Sequence, residues 1–288
     1  MYALNDYLRK ALKEGWATGH FNASELDHMK AIADACAKVH APAIIGMSEG
    51  ERKHIGLREA VVLRDAIRKE VDIPIFLNAD HTKSVKAARE AIDAGFDSIH
   101  IDLSAESFEQ NIAGAKEIVA YRRGYESRIN IEGELGYLKG ESKVQHEKIE
   151  VNRDDYTKPE EAAEFVNQTG VDRLAVVVGN IHGISLDEPV LDIERIRAIR
   201  ARVPDDVALV LHAGSGIPDD QIKAAIGAGI ANIHINTDIR VAFVNELRKS
   251  LSEHLDEVAM YKIDQSAIDA MKKVIKEKLK LFGSVDRI

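Results

Sequence analysis

The chain has 288 residues, 45% of them hydrophobic and 30% charged, and it carries a formal net charge of -9 at pH 7. This length and composition suit a single α/β barrel and exclude a disordered chain. The negative charge argues against a nucleic-acid or anionic-membrane partner, because both favour a concentrated basic face.

Short β-branched and aromatic segments typical of buried strands alternate with segments of helical apolar spacing along the whole chain. Strands are predicted over residues 16–22, 42–47, 74–81, 97–102, 128–133, 172–178, 207–212 and 231–235. Helices are predicted over residues 4–14, 24–39, 57–70, 84–94, 108–123, 193–201, 218–228, 238–255 and 266–282, with one more ending at Thr169. Ser24 is predicted to cap the second helix, Thr157 with Glu160 resembles a capping box, and residues 48–53 are predicted to form a polar loop.

Eight strands that alternate with helices predict a single closed parallel (β/α)8 barrel, a TIM barrel, over residues 1–288. The last predicted helix is an addition to this pattern, and residues 134–158 form an unusually long loop after strand five, as lids and binding elements often do. The alternative architecture is an open doubly wound sheet, which needs no eighth strand.

The one cysteine, Cys36, lies in an alanine-rich helical pattern, which excludes a disulfide framework or a thiolate metal site within one chain. The N-terminus lacks a basic region followed by an apolar run, and no apolar stretch approaches membrane-spanning length. We therefore expect a cytoplasmic protein.

Polar residues stand at the end of every predicted strand, and the carboxyl ends of barrel strands converge on one rim. We expect the side chains at these ends to meet around one ligand. In strand order they are Asn22, Ser48, Asp80 with His81, Asp102 with Ser104, Glu132 with Glu134, His182, His212, and His234 with Asn236. Thr237, which follows Asn236, is a further candidate for substrate binding.

Three of these residues, His81, His182 and His212, follow strands three, six and seven. Three neutral imidazoles are a common ligand set of catalytic zinc, with a fourth position left for water or substrate. The alternative for any single histidine is a satisfied core or surface residue. The spacing predicts that these three bind one Zn²⁺ ion.

Asp80 directly precedes His81, so a buried acid is expected beside the metal. It is a candidate general acid or base, and the alternative is a carboxylate that orients an imidazole. Asp102 and Glu132 fit that orienting role, whereas Glu134 is a further candidate ligand.

Glycine-bearing turns follow strands six and seven, at Gly183 and at Ala213-Gly214-Ser215-Gly216. Exposed backbone N–H groups near a helix N-terminus bind anions, and barrels often bind phosphate in this quadrant. Each glycine alone could be only a turn former. The group as a whole predicts a phosphate site.

The chain resembles the class II, zinc-dependent fructose-bisphosphate and tagatose-bisphosphate aldolases over nearly its whole length. The resemblance rests on ordered motifs: Phe21-Asn22, Ser48-Glu49-Gly50, Asp80-His81, Ile101-Asp102 through Asn111-Ile112, Glu132-Gly133-Glu134-Leu135-Gly136, Tyr156-Thr157 through Ala162, His182-Gly183, Leu211-His212 through Pro218, and Lys276 through Ser284.

This resemblance implies reversible cleavage of a ketose 1,6-bisphosphate, with fructose as the first expectation, to dihydroxyacetone phosphate and glyceraldehyde 3-phosphate. It also implies that His81, His182 and His212 bind zinc and that Asp80 moves the proton of the C4 hydroxyl. The triose phosphate would be held by Gly183, Ala213, Gly214 and Ser215. The family further implies a monovalent cation near the phosphate and a homodimer or homotetramer.

Several positions depart from the family pattern. His234 stands where many relatives have asparagine, Asn78 replaces a frequent histidine, and Lys139 replaces one of two glycines. The family's mobile loop glutamate aligns with Ser142, which leaves neighbouring Glu141, and Glu147, as candidates for the loop base. Ser185 and Leu186 occupy the place of an aromatic residue. These changes bear on the sugar substrate rather than on fold or metal.

Four alternatives to a fructose-bisphosphate aldolase remain open on the sequence. The first is an aldolase for tagatose 1,6-bisphosphate or another ketose phosphate, and the second is a metal-dependent hydrolase on the same barrel. A Schiff-base aldolase is disfavoured, because strand six offers valines and no lysine. A sugar-phosphate binding protein without catalysis is the fourth.

Overall fold

The structure, a computed structural model, describes residues 2–125, 129–145, 149, 152–184 and 189–288. Eight parallel strands close into a barrel in the order β1-β2-β3-β4-β5-β7-β9-β10, and β10 pairs with β1. The predicted TIM barrel is confirmed. The barrel strands are β1 (Thr18–Asn22), β2 (Ala43–Met47), β3 (Ile75–Thr82), β4 (Ser98–Ile101), β5 (Asn130–Leu135), β7 (Arg173–Val176), β9 (Ala208–Leu211) and β10 (Ile230–Ile235). Two further short strands, β6 (Gly140–Val144) and β8 (His182–Ile184), pair with each other outside the barrel.

Helices connect the strands and cover the barrel's outer face. They are α1 (Leu4–Glu14), α2 (Leu26–Lys38), α3 (Glu49–Ile55), α4 (Leu57–Val71), α5 (Val85–Ala94), α6 (Phe108–Tyr121), α7 (Pro159–Thr169), α8 (Ile193–Arg200), α9 (Asp219–Gly227), α10 (Thr237–Glu253), α11 (Met260–Ile263) and α12 (Gln265–Leu281). The appended C-terminal helix is α12, which packs against α10 and α2. No helix among these described residues is long and apolar enough to cross a membrane.

Three local predictions were wrong. The predicted polar loop at 48–53 is largely helix α3, whose start is stabilised by the Glu51 carboxylate accepting the Ser48 N–H at 2.7 Å. Helix α2 has Glu25 rather than Ser24 at its N-cap. Thr157 does not cap α7, because its hydroxyl donates to the Leu135 carbonyl and accepts the Val177 N–H, so it joins the long loop to the barrel.

The barrel interior is built in layers of different polarity. At its amino-terminal end, Ile44, Phe76, Ala208 and Ala231 pack against Leu4 and Leu8 of α1, which closes the bottom of the barrel. Above them lies a polar layer centred on the fully buried guanidinium of Arg173, which contacts side chains of β3, β4, β5 and β10. The imidazoles and carboxylates lie at the carboxyl ends. A polar interior of this kind is unusual, because barrel cores are dominated by branched apolar residues.

Cys36 lies on the core face of α2 and is completely buried. Burial raises the pKa of its thiol well above the ordinary value, so the reactive thiolate is scarce. We expect a thiol reagent at pH 8 to label the native protein far more slowly than the urea-unfolded protein. Equal labelling rates would show that α2 opens readily.

Candidate active site

The carboxyl end of β3 presents Asp80 and His81 to the same cavity. Consecutive strand residues normally point to opposite faces, but here the pairing of β3 with β4 shifts register between Ala79 and Thr82, and His81 has a positive φ of 43°. This bulge turns both side chains toward the barrel mouth. A non-glycine residue held in this conformation is typical of functional sites.

Two carboxylates fix which nitrogen of His81 and of His212 carries a proton. Asp102 Oδ2 lies 2.7 Å from Nδ1 of His81, and Glu132 Oε1 lies 2.6 Å from Nε2 of His212. Since ionised carboxylates only accept, both of those nitrogens are protonated. The remaining nitrogens, His81 Nε2 and His212 Nδ1, face each other at 3.1 Å. Burial lowers the pKa of His81, but Asp80 and Asp102 outweigh it and raise that pKa, so His81 Nε2 donates to His212 Nδ1. A metal ion bound between these two nitrogens would replace that proton, and the carboxylates on the other side of each ring fit imidazole ligands.

His182 lies beside His81, with the two ring centroids 5.1 Å apart. Among the described residues, its ring nitrogens do not join those of His81 and His212 in one cluster of donor atoms; the fourth member of the cluster with Asp80, His81 and His212 is His100. His182 does not directly follow a barrel strand as expected, because β7 ends at Val176 and His182 belongs to β8. The turn between them is held by Asn180, which accepts the Val178 N–H and donates to the His212 carbonyl. Burial, and then the neighbouring His81, lower the pKa of His182 to about 3, so its ring is neutral as a metal ligand requires.

Asp80 is held between polar side chains from several strands. Its Oδ2 accepts the Asn22 amide at 3.1 Å, whereas its Oδ1 has no hydrogen-bond partner and lies 3.6 Å from His100 Nδ1 and 3.5 Å from His234 Nδ1. Burial alone would raise the pKa of Asp80, but His81 and then His100 outweigh it and hold that pKa well below its usual value. The carboxylate is therefore ionised.

Most of the predicted site residues line one cavity of about 120 Å³ at the barrel mouth. The lining consists of Asn22, Ser48, Asp80, His81, Ser142, His182, Gly183, His212, Ala213, Ser215, His234, Asn236, Thr237 and Arg240. Asp102 and Glu132 lie behind the histidines, and Glu134 Oε2 lies 3.2 Å from His100 Nε2. Gly214 packs under the rim against Ile233 and the His234 carbonyl.

The loop after β5 places Ser142 in the cavity lining, whereas the exposed carboxylate of Glu141 pairs with Lys143 at 2.7 Å. Glu141 as the loop base therefore stays a prediction. Lys139, the departure next to Gly140, forms an ion pair with Asp155 at 2.7 Å. Glu147, Ser185 and Leu186 lie outside the described residues.

The predicted phosphate quadrant combines two features that bind anions. Ala213 adopts a positive φ of 56°, and Ser215 Oγ accepts the Asp238 N–H in the first turn of α10. The positive end of this 17-residue helix thus faces the same end of the cavity as Ser215. Arg240, one turn into α10, adds a cation to the cavity lining and pairs with Glu51.

Gly183 is required by a close approach between β8 and the long loop. Its φ is +92°, and a Cβ there would collide with the backbone oxygens of Lys143 and Glu141. We expect Gly183→Ala to separate β6 from β8 and to raise the KM for a phosphorylated substrate. The strained backbone should also lower the free energy of unfolding by about 1–3 kcal/mol. Steady-state kinetics and thermal unfolding would test this. Gly227→Ala is the matched control, because a Cβ there meets nothing within 4 Å; equal behaviour of the two variants would contradict the prediction.

Sequence reasoning did not single out His20, His100, Arg173 or Arg240. The first three are fully buried, and the rings of His20 and His234 stack with centroids 3.5 Å apart. A signal was present, because polar residues recur at every second position of several strands. Examples are Thr18-His20-Asn22, Ser98-His100-Asp102 and Asn130-Glu132-Glu134, which mark one inward face.

A closed parallel barrel with titratable side chains gathered at its carboxyl rim is the construction of a barrel enzyme, whose active site lies at that rim. The family model for class II fructose-bisphosphate aldolases matches residues 2–287. The chain therefore belongs to the class II fructose-bisphosphate aldolase family, and it is an enzyme of the lyase class.

Individual relatives agree with this assignment. The chain is 33% identical over 290 residues to a fructose-bisphosphate aldolase of Staphylococcus aureus strain Mu50, covering 100% of this chain and 99% of that protein. The crystal structure of the YdjI aldolase from Escherichia coli K12 has a TM-score of 0.83 and 31% identity, with 99% and 98% of the two chains covered. A fructose-bisphosphate aldolase from Campylobacter jejuni, at a TM-score of 0.81 and 22% identity over 99% and 95% of the two chains, shares the fold.

Proposed function

We propose that the chain is a zinc-dependent aldolase that reversibly cleaves fructose 1,6-bisphosphate to dihydroxyacetone phosphate and glyceraldehyde 3-phosphate. The observation that supports this most is the approach of His81 Nε2 to within 3.1 Å of His212 Nδ1, beside ionised Asp80. We further propose that the enzyme acts in the cytoplasm, as the sequence predicts, and that it forms a homodimer or homotetramer, as the family resemblance implies.

The donor set suits zinc better than a hard cation. Imidazole nitrogens are typical zinc ligands, whereas magnesium and calcium prefer oxygen. His81 and His212 would hold the ion, and His182 would complete the set from β8. When bound, a divalent cation acts as a Lewis acid that stabilises the negative charge developing as the C3–C4 bond breaks.

Asp80 would accept the proton of the C4 hydroxyl in the cleavage direction and return it in condensation. Its free Oδ1 faces the imidazoles, while Asn22 holds Oδ2 and so fixes the direction of the carboxylate. In the same cavity, Gly183, Ala213, Gly214 and Ser215 would bind one phosphate at the N-terminus of α10. Ser48 and Arg240 would bind the other phosphate. The two phosphates of a bisphosphate substrate lie at opposite ends of the molecule, so they need separate sites.

The remaining rim residues would orient the sugar between the two phosphates. Asn236 and Thr237 stand at the start of α10, and His234 presents its ring to the cavity next to Asp80. The family resemblance also implies a monovalent cation near the first phosphate. These residues would surround C4 if that carbon lies beside Asp80, so discrimination between fructose and tagatose would arise here.

The experiment that tests the proposal measures triose phosphate release from both C4 epimers, fructose and tagatose 1,6-bisphosphate, with and without a chelator. We expect turnover of the fructose epimer that the chelator abolishes and added Zn²⁺ restores. Turnover of the tagatose epimer alone would change the substrate but leave the enzyme class unchanged. Chelator-insensitive turnover, or water-dependent products without aldol exchange, would overturn the proposed chemistry.

A further inference from the structure

We infer that Arg173, buried one layer below the rim, is a positioning residue that sets the tautomers of the rim imidazoles, those of His212 and His234 above all. The effect expected on zinc affinity rests on the proposed function. The expected positions of the protons on the two rings do not depend on a bound metal.

The Arg173 guanidinium is completely buried and fully engaged. Nε donates to Asn130 Oδ1 at 2.7 Å and Nη1 to Asn232 Oδ1 at 2.6 Å. Nη2 donates to Ser98 Oγ at 2.6 Å and to Asn78 Oδ1 at 3.3 Å. The same Nη2 lies 2.9 Å from Glu132 Oε2, a contact outside hydrogen-bond geometry but well within ion-pair distance.

A guanidinium can only donate, so every neighbouring amide must turn an oxygen toward it. Asn232 therefore presents Oδ1 to Arg173, and the same oxygen lies 3.1 Å from Nε2 of His234. Its Nδ2 is already committed to the Thr18 carbonyl. Nε2 of His234 is thus the protonated nitrogen, and Nδ1 is left with a lone pair toward Asp80.

A second connection leads through Glu132 to His212. Glu132 is fully buried, and Arg173 supplies its opposite charge at Oε2 while Oε1 accepts the Nε2 proton of His212 at 2.6 Å. A buried carboxylate without such a partner carries a large desolvation cost. Arg173 therefore holds Glu132 with Oε1 on Nε2 of His212, so that His212 turns Nδ1 toward His81.

The same reasoning reaches His20. Asn78 turns Oδ1 to Arg173, so its amide Nδ2 is the atom 3.0 Å from His20 Nε2. One residue thus separates the Arg173 guanidinium from each of three imidazoles of the barrel interior, those of His20, His212 and His234. Arg173 itself does not line the cavity, so its effect on substrate is indirect.

The test compares Arg173→Met, Glu132→Gln and the double variant with wild type, all in full-length protein. Histidine ¹⁵N NMR spectra of the zinc-free proteins report which ring nitrogen is protonated, and chelator competition reports zinc affinity. We expect Arg173→Met to change the tautomer populations of His212 and His234, and to weaken zinc binding by about 10- to 100-fold, as expected for an outer-shell partner. Unchanged ring spectra, or wild-type zinc affinity, would overturn the inference.

The double variant distinguishes action through Glu132 from an independent effect. If Arg173 affects zinc affinity through Glu132, the double variant should bind zinc no more weakly than the weaker-binding of the two single variants. Losses of zinc affinity that multiply in the double variant would contradict that route. It also removes both charges of the buried pair together, so it guards against a single variant that fails to fold. If Arg173→Met alone does not fold, the double variant is compared with Glu132→Gln. The added Arg173→Met change should then leave zinc affinity unchanged.

Arg122→Met is the matched control. Arg122 pairs with Asp172, next to Arg173 in sequence, but has no connection to Glu132 or Asn232. It should leave the ring spectra and zinc affinity unchanged. If wild-type protein binds no zinc, the proposed function fails while the tautomer comparison still decides the role of Arg173.

Discussion

Asp80→Asn should lower kcat for fructose 1,6-bisphosphate cleavage by about 10²- to 10⁴-fold, the range contributed by a positioned general acid or base. The substitution keeps the size of the side chain and an oxygen that can face the Asn22 amide. It removes only the charge that accepts the C4 hydroxyl proton. Zinc content should therefore stay at the wild-type value, because the facing nitrogens of His81 and His212 are unaffected.

Triose phosphate release and zinc content would be measured on the same preparations. Asp97→Asn makes the same chemical change at the opposite end of the barrel, where Asp97 pairs with Arg64 and Arg68. That control should lose stability but retain kcat. Near-wild-type kcat in Asp80→Asn would reject the role of Asp80, and loss of zinc would show that the carboxylate belongs to the metal site instead.

The barrel could be predicted from the sequence because eight apolar segments recur at spacings that leave room for a crossover helix. Short, polar elements were harder to predict. Helix α3 contains no apolar stripe, with the sequence Glu49-Gly50-Glu51-Arg52-Lys53-His54-Ile55, and its start depends on Glu51 accepting a backbone N–H. Such elements are stabilised by caps and tertiary contacts rather than by hydrophobic periodicity.

The rim of the site could be predicted, but its interior could not. Asp80, His81 and His212 were found because each ends an apolar run, which is where barrel enzymes place their chemistry. His100 and Arg173 lie inside strands, where residues are expected to be apolar, and only their contacts with Glu134 and with Ser98 connect them to the polar interior. The bulge that turns Asp80 and His81 to one side is likewise invisible in sequence, since it arises from strand pairing.

The inward polar layer links two of the departures from the family pattern, Asn78 and His234, through Arg173. Asn78 bridges Arg173 and His20, and Asn232 bridges Arg173 and His234. Changing one member would leave another buried donor or acceptor unpaired, at a cost of about 1–3 kcal/mol. We therefore expect these positions to tolerate substitution only in combination.

Replacing His81 or His212 with alanine should abolish stoichiometric zinc binding and turnover together. Each supplies one of the two facing nitrogens, so the loss should exceed the roughly 10- to 100-fold effect typical of outer-shell partners. His182→Ala should weaken zinc binding as strongly, provided that its neutral ring is the third ligand. Glu134→Gln should have a smaller effect, since Glu134 lies nearest His100.

Metal analysis and chelator competition on the four variants separate these ligand assignments. His40→Ala is the control, because His40 is exposed and pairs with Asp286 far from the cavity. Unaltered zinc affinity in His182→Ala together with a large loss in Glu134→Gln would replace the three-histidine set with two histidines and a carboxylate. Retained zinc in both His81→Ala and His212→Ala would remove the metal centre from the barrel mouth, and the proposed aldolase chemistry with it.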